Sequence, residues 1–457
     1  MIPVKAIINE VLENLKSELE EFMENPQLSL EEMESTLTQK ISRATLVMIR
    51  AYYESLDAAL LRNKKGRRKS GLVVERRNEK REIYTSLGLL SFQRTYYKKK
   101  DGYTYPVDAV VGLDGYERIS RNVATSLVES AKKRSYAESS KEVTNGYLSK
   151  QTVMRQIRKA RIQEAEPLDM QKEITALHID ADEDHVHLQN GRSTMVPLVS
   201  TYEGIQRRGK RGFCKNIQHY SKYGEKASSL WTEVLEESEK IYDLSQTKVY
   251  IHGDGASWIK EGLEWFPNCV FVLDNYHWNK AIMAATAGIG TARGVYKKEI
   301  KNALIEEDEE FFISLQDSLL MQQPEREEEI LTNMRYLWNN RDGIRIREED
   351  TEAKNGGATE PHVSHVLSER LSSRPKAWSK ETLKVMAPLL AGRPFVLEKK
   401  EIPLEEAITE VIKEKKKPFT KHRLGMPDPD HSVHIPAETM PMSNLAKIIN
   451  FIPSTFN

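Results

Sequence analysis

The spacing of apolar positions changes several times along the chain, and each change marks an element. Residues 4–24 and about 30–61 carry them at helical intervals, as in "VKAIINEVLENL" and "ATLVMIRAYYESLDAALL", which predicts two amphipathic helices. "REIYTSLGLLSFQRTYY" instead alternates β-branched and aromatic residues around Leu87 and Gly88, the pattern of a hairpin. Residues 120–162 return to short helical runs: one to about Lys132, one from Tyr136 to Thr144, a turn at Asn145 and Gly146, and a third that Ser149 can cap. That layout predicts a helix-turn-helix with "SKQTVMRQIRKAR" as its recognition helix, although short helices around a glycine turn also occur in plain bundles.

After the polar stretch "QEAEPLDMQ" the pattern becomes strand-like. Runs at 176–189, 195–204 and 215–223, separated by glycine and basic turns, predict an antiparallel meander. A helix ("SSLWTEVLEESEKIY"), a short buried strand ("KVYIHGD"), a second helix ("ASWIKEGLEWF") and a second buried strand ("CVFVLD") follow. The order predicts a mixed α/β layer architecture with acids at the strand ends. Residues 276–352 read as solvated acidic helices, and 355–378 as a glycine turn followed by a helix ending at Arg374 and Pro375. The last 80 or so residues are basic, proline-rich and weakly periodic, and predict no role. The chain thus divides into a helical region (1–61), a hairpin region (62–115), a helix-turn-helix region (116–165), a first core segment (172–278), a helical insertion (279–354), a last core segment (355–390) and a tail (391–457).

Charge sharpens one part of this picture. The 457 residues hold 68 basic and 68 acidic side chains, a balance that gives no reason to expect a general polyanion binder. Residues 62–100, however, contain 14 Lys or Arg against 3 Glu, a local excess of 11 positive charges. Such density is an electrostatic footprint for nucleic acid, which makes Arg67, Arg68 and Lys69, with Lys150, Arg155 and Arg158 of the third helix, candidate DNA contacts. Only Cys214 and Cys269 occur, without CxxC spacing, so neither a disulfide framework nor a thiolate zinc site is expected. With no apolar secretion core and no run of roughly 20 apolar residues, the chain is expected to be soluble and cytoplasmic, with no membrane partner.

The chemistry sits among the acids. Asp180, Asp182 and Asp184 alternate along the first strand run and so share a face; Asp254 follows the fourth strand and Asp274 the fifth. Gathered carboxylates repel unless a hard cation neutralises them, which points to Mg²⁺ or Mn²⁺. Two such ions about 4 Å apart can serve both the attacking and the leaving oxygen of a phosphodiester. "DADEDHVH" fails as a calcium loop, having His185 at the sixth position and Gly191 at the twelfth. Zinc held by His178, His185 and His187 is a weaker alternative because no HExxH pattern accompanies them. An exposed acidic strand without function is the plain alternative.

Taken together, "HIDADEDHVHLQ", "YIHGDGASWIKEGLEWFPNCVFVLDNYHWNKAI" and "GGATEPHVSHVLSERLSSRP" resemble the prokaryotic insertion-sequence transposases of the ISLre group (UPF0236-like), relatives of the Mutator-like DDE transposases. The resemblance covers nearly the whole chain. It implies an RNase H-like core holding Asp, Asp and Glu around two Mg²⁺ ions, with a helical insertion between the second and third acids. Carried over by position, it makes Asp182, Asp254 and Glu360 the catalytic, metal-holding acids, at gaps of 72 and 106 residues. Asp180, two residues earlier on the same face, competes for the first place. Asp274 and His277 match the family's "C or D, two residues, H" signature and would position the site or the scissile phosphate; a hydrogen-bonded buried histidine fits His277 equally. A carboxylate at a helix start, as at Glu360, is also ordinary capping chemistry. Arg370 and Arg374 would either grip the DNA backbone or be solvated. The implied activity is metal-dependent cleavage at element ends followed by strand transfer. Its partners would be double-stranded DNA (terminal inverted repeats and target) and a second copy of the chain in the active complex, near the nucleoid. A metal-dependent nuclease with the same core, or an inactive DNA-binding derivative, are the alternatives.

Overall fold

The computed structural model describes residues 29–398, apart from 113, 115, 164–170 and 210, together with 404, 406–415 and scattered positions within 9–24. The helix expected over 4–24 and most of the tail therefore lie outside the described residues. Helix α1 (Leu30–Arg62) starts where Ser29 and Glu32 form a reciprocal capping box, and its last turns pack on the hairpin β1 (Val73–Thr85) and β2 (Gly88–Lys99), to which the short β3 (Gly102–Thr104) adds. Leu60, Ile83, Phe92 and Tyr97 form the shared core there. Within it Asp57 accepts hydrogen bonds from the Thr95 backbone N–H and hydroxyl, which ties helix to strand.

Three short helices follow: α2 (Arg121–Lys133), α3 (Tyr136–Thr144) and α4 (Lys150–Lys159). Ser120, Ser135 and Ser149 cap them in turn. Asn145 (φ 49°) and Gly146 (φ 78°) adopt the left-handed conformation that reverses the chain between the last two. The expected segmentation would make this region a separate unit, but Val123, Leu127, Val153 and Ile157 share one hydrophobic core with Val186 and Leu198 of the central sheet and with Leu367 and Leu383. The three helices are therefore seated on the sheet instead of hanging from a linker.

That sheet has five strands: β4 (Ala176–His187), β5 (Ser193–Tyr202), β6 (Gln218–Tyr220), β7 (Lys248–Gly253) and β8 (Cys269–Leu273). Their order is β6-β5-β4-β7-β8, antiparallel from β6 to β4 and parallel from β4 through β7 to β8. Buried residues on consecutive positions of β7, from Val249 to Gly253, reflect a parallel strand covered on both faces. Helix α5 (Ala227–Ile241) buries Leu230, Trp231 and Val234 against one face. The segment after β7 is less regular than its apolar spacing predicts: Ser257–Lys260 is α-helical and Glu261–Glu264 a 3₁₀ turn. Gly262 lies against the Trp231 ring at a distance that admits no side chain.

Beyond β8 run α6 (Asn275–Ala285), α7 (Arg293–Ile305), α8 (Glu309–Gln322), α9 (Glu327–Asn339) and α10 (Arg341–Glu349). They are acidic outside, as the sequence predicts, but Leu304, Leu319, Met334 and Ile344 are buried in the core of the sheet itself. The chain then returns across β4 as a helix with two α-segments, Thr359–Val363 and Glu369–Leu371, joined by a π-helical stretch, Ser364–Ser368. Among the described residues no helix is long and apolar enough to cross a membrane.

Candidate active site

Parallel pairing puts His252 of β7 opposite Asp180 of β4, so Asp254, just past the end of β7, comes beside Asp182 in the middle of β4. Adjacent strands lie about 4.8 Å apart. The two carboxylates therefore open toward one place where β7 ends alongside β4. Asp182 is half-buried and its Oδ1 accepts the Glu183 N–H at 2.8 Å. Burial above all, with the charges of Glu183 and Asp254 adding to it, raises its pKa to about 7 despite the Glu183 N–H and the nearby His277. Asp254 Oδ1 accepts the Ala256 N–H at 2.8 Å.

The three strand acids share a face, as alternation requires, but they do different things. Asp180 is 2% exposed and its oxygens accept hydrogen bonds from the Tyr202 hydroxyl (2.9 Å), Gly357 N–H (3.2 Å) and Ala358 N–H (2.9 Å). His362 Nδ1 stands 3.2 Å from its second oxygen. Burial opposes the charge on Asp180, yet His362, His252 and Tyr202 hold its pKa below the ordinary value. Through these contacts Asp180 fastens the returning helix to β4. Asp184 does the same at the other end, accepting from Ser368 (3.0 Å) and Ser372 (2.8 Å). Asp182 lies between these two anchors.

Glu360 is the second residue of Thr359–Val363, two positions after the anchored Ala358 and two before His362. Its side chain lies outside the described residues. Among the described residues no three His, Cys, Asp or Glu side chains converge as a metal-holding group. The donors nonetheless suit a hard divalent cation. Two neighbouring carboxylates, one with its pKa driven up by burial and by the other's charge, form a pair that a cation would relieve.

Asp274 caps α6, accepting the Tyr276 N–H at 3.3 Å, and its other oxygen stands 3.4 Å from His277 Nδ1. Burial pulls the His277 pKa down, but the hydrogen bond and charge of Asp274, together with the charges of Asp182 and Asp254, outweigh it and raise the pKa. An imidazole whose protonated form is favoured is thus held beside the acids by a carboxylate that is 3% exposed.

Several supporting residues left no mark in the sequence. Tyr336 of α9 donates its hydroxyl to the Asp254 carbonyl at 2.6 Å, and Asn340 packs so closely on Gly255 that an added Cβ would lie 2.5 Å from its Oδ1. The glycines flanking Asp254 are thus explained by packing: Gly253 against Ala181 and Ile259, Gly255 (φ 90°) against the insertion. Behind Asp180, His178 and His252 stack with Nδ1 and Nε2 3.2 Å apart. Burial lowers both pKa values, that of His252 to about 4. Gly356 lies on these rings, and a Cβ there would run into His252 Nε2 and His178 Nδ1. Gly356→Ala should therefore cost about 1–3 kcal/mol by overpacking. A lowered melting temperature would be the readout, and unchanged melting would mean that the segment carrying Glu360 is not held against the histidines.

The candidate DNA contacts divide in the same way. Arg68, Lys69, Lys150, Arg155 and Arg374 are exposed. Arg67, by contrast, donates to the Leu60 and Leu61 carbonyls and closes the end of α1. Arg158 donates to Thr382 and Ser379, which fastens α4 to the helix Lys380–Leu390. Arg370 is 7% exposed, donates to the Ala131 carbonyl and lies over the Trp378 and Tyr136 rings. It joins α2 to the returning helix, which fits neither of the two roles expected for it, gripping the DNA backbone or being solvated. Arg155 lines a cleft of about 780 Å³ between the hairpin and α4, together with Lys80, Arg118, Lys159, Tyr116 and Tyr147.

The family described as Uncharacterised protein family (UPF0236) matches residues 23–406 of this chain. The chain belongs to the UPF0236 family. The UPF0236 protein TTE2489 of Caldanaerobacter subterraneus subsp. tengcongensis is 41% identical over 359 residues, which cover 77% of this chain and 75% of that protein. Another UPF0236 protein of the same bacterium, 40% identical over 77% of this chain and 74% of its own length, bears a name that joins eleven TTE designations. Among solved structures, a chain from the cryoEM structure of the simian T-cell lymphotropic virus intasome in complex with PP2A regulatory subunit B56 gamma is 10% identical. The match covers 42% of this chain and 62% of that one with a TM-score of 0.15, too low to carry an argument.

Proposed function

We propose that this UPF0236 protein is a DDE transposase that cleaves DNA at the ends of an insertion sequence and joins those ends to target DNA. The observation that carries the reading is the register that sets Asp182, in the middle of β4, beside Asp254 just past the end of the parallel strand β7, with the helix of Glu360 fastened across β4 by Asp180 and Asp184. The mixed sheet, ordered β6-β5-β4-β7-β8 with its antiparallel-to-parallel change, is compatible with an RNase H-like core, which supports the reading further. So do the names of relatives that join several designations from one bacterium, the trace that a self-copying segment leaves.

Two divalent cations, when bound, would supply the positive charge that activates an attacking oxygen and steadies a leaving one. Asp182, Asp254 and Glu360 would hold them. Tyr336 and Asn340 keep the Asp254 turn from shifting, and His277, held by Asp274, would offer a hydrogen bond to a phosphate oxygen. The exposed bases of the hairpin and of α4 would bind the terminal repeats, with α2–α4 serving as a helix-turn-helix. Bringing two ends together would need a second copy of the chain.

The test uses purified protein, Mg²⁺ or Mn²⁺, and DNA carrying the sequences that flank its coding region. Metal-dependent nicking at a fixed position, followed by joining of the ends to a plasmid, is the expected result. Cleavage without joining would favour a nuclease, and binding without cleavage would favour an inactive DNA-binding derivative.

A further inference from the structure

Beside the acids, α6 and the start of the returning helix enclose a pocket of about 480 Å³ lined by Asp274, Tyr276, Asn279, Lys280, Gly357 and Thr359. Its volume is that of a small-molecule site. Two features show that it is prepared for a ligand. Thr359 is 2% exposed, yet its hydroxyl has no hydrogen-bond partner, a state that buried polar groups rarely keep unless something supplies one. Tyr276, next to His277, is 52% exposed although a tyrosine ring gains from burial. Its ring meets the His277 ring edge-on at 5.2 Å, and the Lys280 ammonium stands 5.6 Å from its centroid. An exposed aromatic face and a cation in one pocket suit two parts of a nucleotide, a base to stack and a phosphate to pair.

We infer that this pocket receives the single nucleotide next to the scissile phosphate, its base unstacked from the duplex and laid on Tyr276. The inference rests on the DNA-cleaving function proposed above. Pulling one base out of the stack costs a few kcal/mol, which the platform would offset. Lys280 and Asn279 would hold the sugar-phosphate side.

A duplex carrying 5-iodouracil at the first nucleotide beyond the cleavage point tests this, with the full-length protein in Ca²⁺ and the photo-adduct located by mass spectrometry. The expected adduct is on Tyr276. Tyr276→Ala should remove it and weaken binding of that DNA by about 5- to 150-fold, the range for loss of one stacked base, while Tyr276→Phe should keep binding within about twofold. Adducts only elsewhere, or wild-type binding by Tyr276→Ala in a protein that still cuts its ends, would overturn the pocket assignment and leave the transposase reading standing. A wild-type protein that neither binds nor cuts the DNA would overturn both.

Discussion

Asp254→Asn should lower Mg²⁺-dependent cleavage by at least about a hundred- to a thousandfold, the scale on which one group that stabilises transition-state charge acts. End binding should remain detectable. The substitution keeps the shape of the side chain and its ability to accept the Ala256 N–H, so the turn after β7 is expected to survive. What is removed is one negative charge beside Asp182, and with it half of the pair on which a hard cation depends. Because the backbone of Asp254 is clamped separately by the Tyr336 hydroxyl, a folding defect can be told apart from a chemical one. Tyr336→Phe should reduce cleavage through misplacement while leaving the charge intact. An Asp254→Asn protein that cuts its ends at the wild-type rate would remove this residue from the catalytic set.

The parts of this site that could be read from the sequence are those whose cause is local. Strand periodicity shows that Asp180, Asp182 and Asp184 share a face, and serine and glycine punctuation marks α2, α3 and α4 nearly residue by residue. What periodicity cannot show is what stands opposite. The difference between Asp180 and Asp182 lies in Tyr202, Gly357, Ala358 and His362, all distant in sequence from β4, and no property of "HIDADED" records them. Arg370 and Arg158 went astray for a related reason: an arginine in a basic helix looks the same whether it faces DNA or a neighbouring helix, and only packing against Trp378, or the reach to Ser379, decides. The insertion posed the opposite problem. Its acidic exterior made it look detachable, whereas Tyr336 and Asn340 brace the strand end that carries Asp254.

Asp182→Asn should have two effects of opposite sign, which makes it the sharper test of the centre. Cleavage should fall as far as in Asp254→Asn, yet the metal-free protein should become more stable above pH 7. An unfolded Asp titrates near 3.9, whereas burial holds the folded Asp182 at about 7. Between those values the folded chain binds the extra proton, so this group's contribution to stability is greatest below about pH 4, declines as pH rises through the interval and levels off above about 7. At pH 8 the charge is held at a penalty on the order of a few kcal/mol, and the neutral amide escapes it. Melting in EDTA should therefore place the variant a few degrees above wild type at pH 8, with the gap closing toward pH 4. Added Mg²⁺ should narrow the difference at pH 8 by stabilising only the wild type, because a bound cation favours the ionised carboxylate. The same coupling predicts that apparent Mg²⁺ affinity falls about tenfold for each pH unit below 7 in the wild type, as metal and proton compete for one oxygen pair. Equal pH profiles of melting for the two proteins would show that Asp182 carries no strained charge, and the case for a cation between Asp182 and Asp254 would go with it.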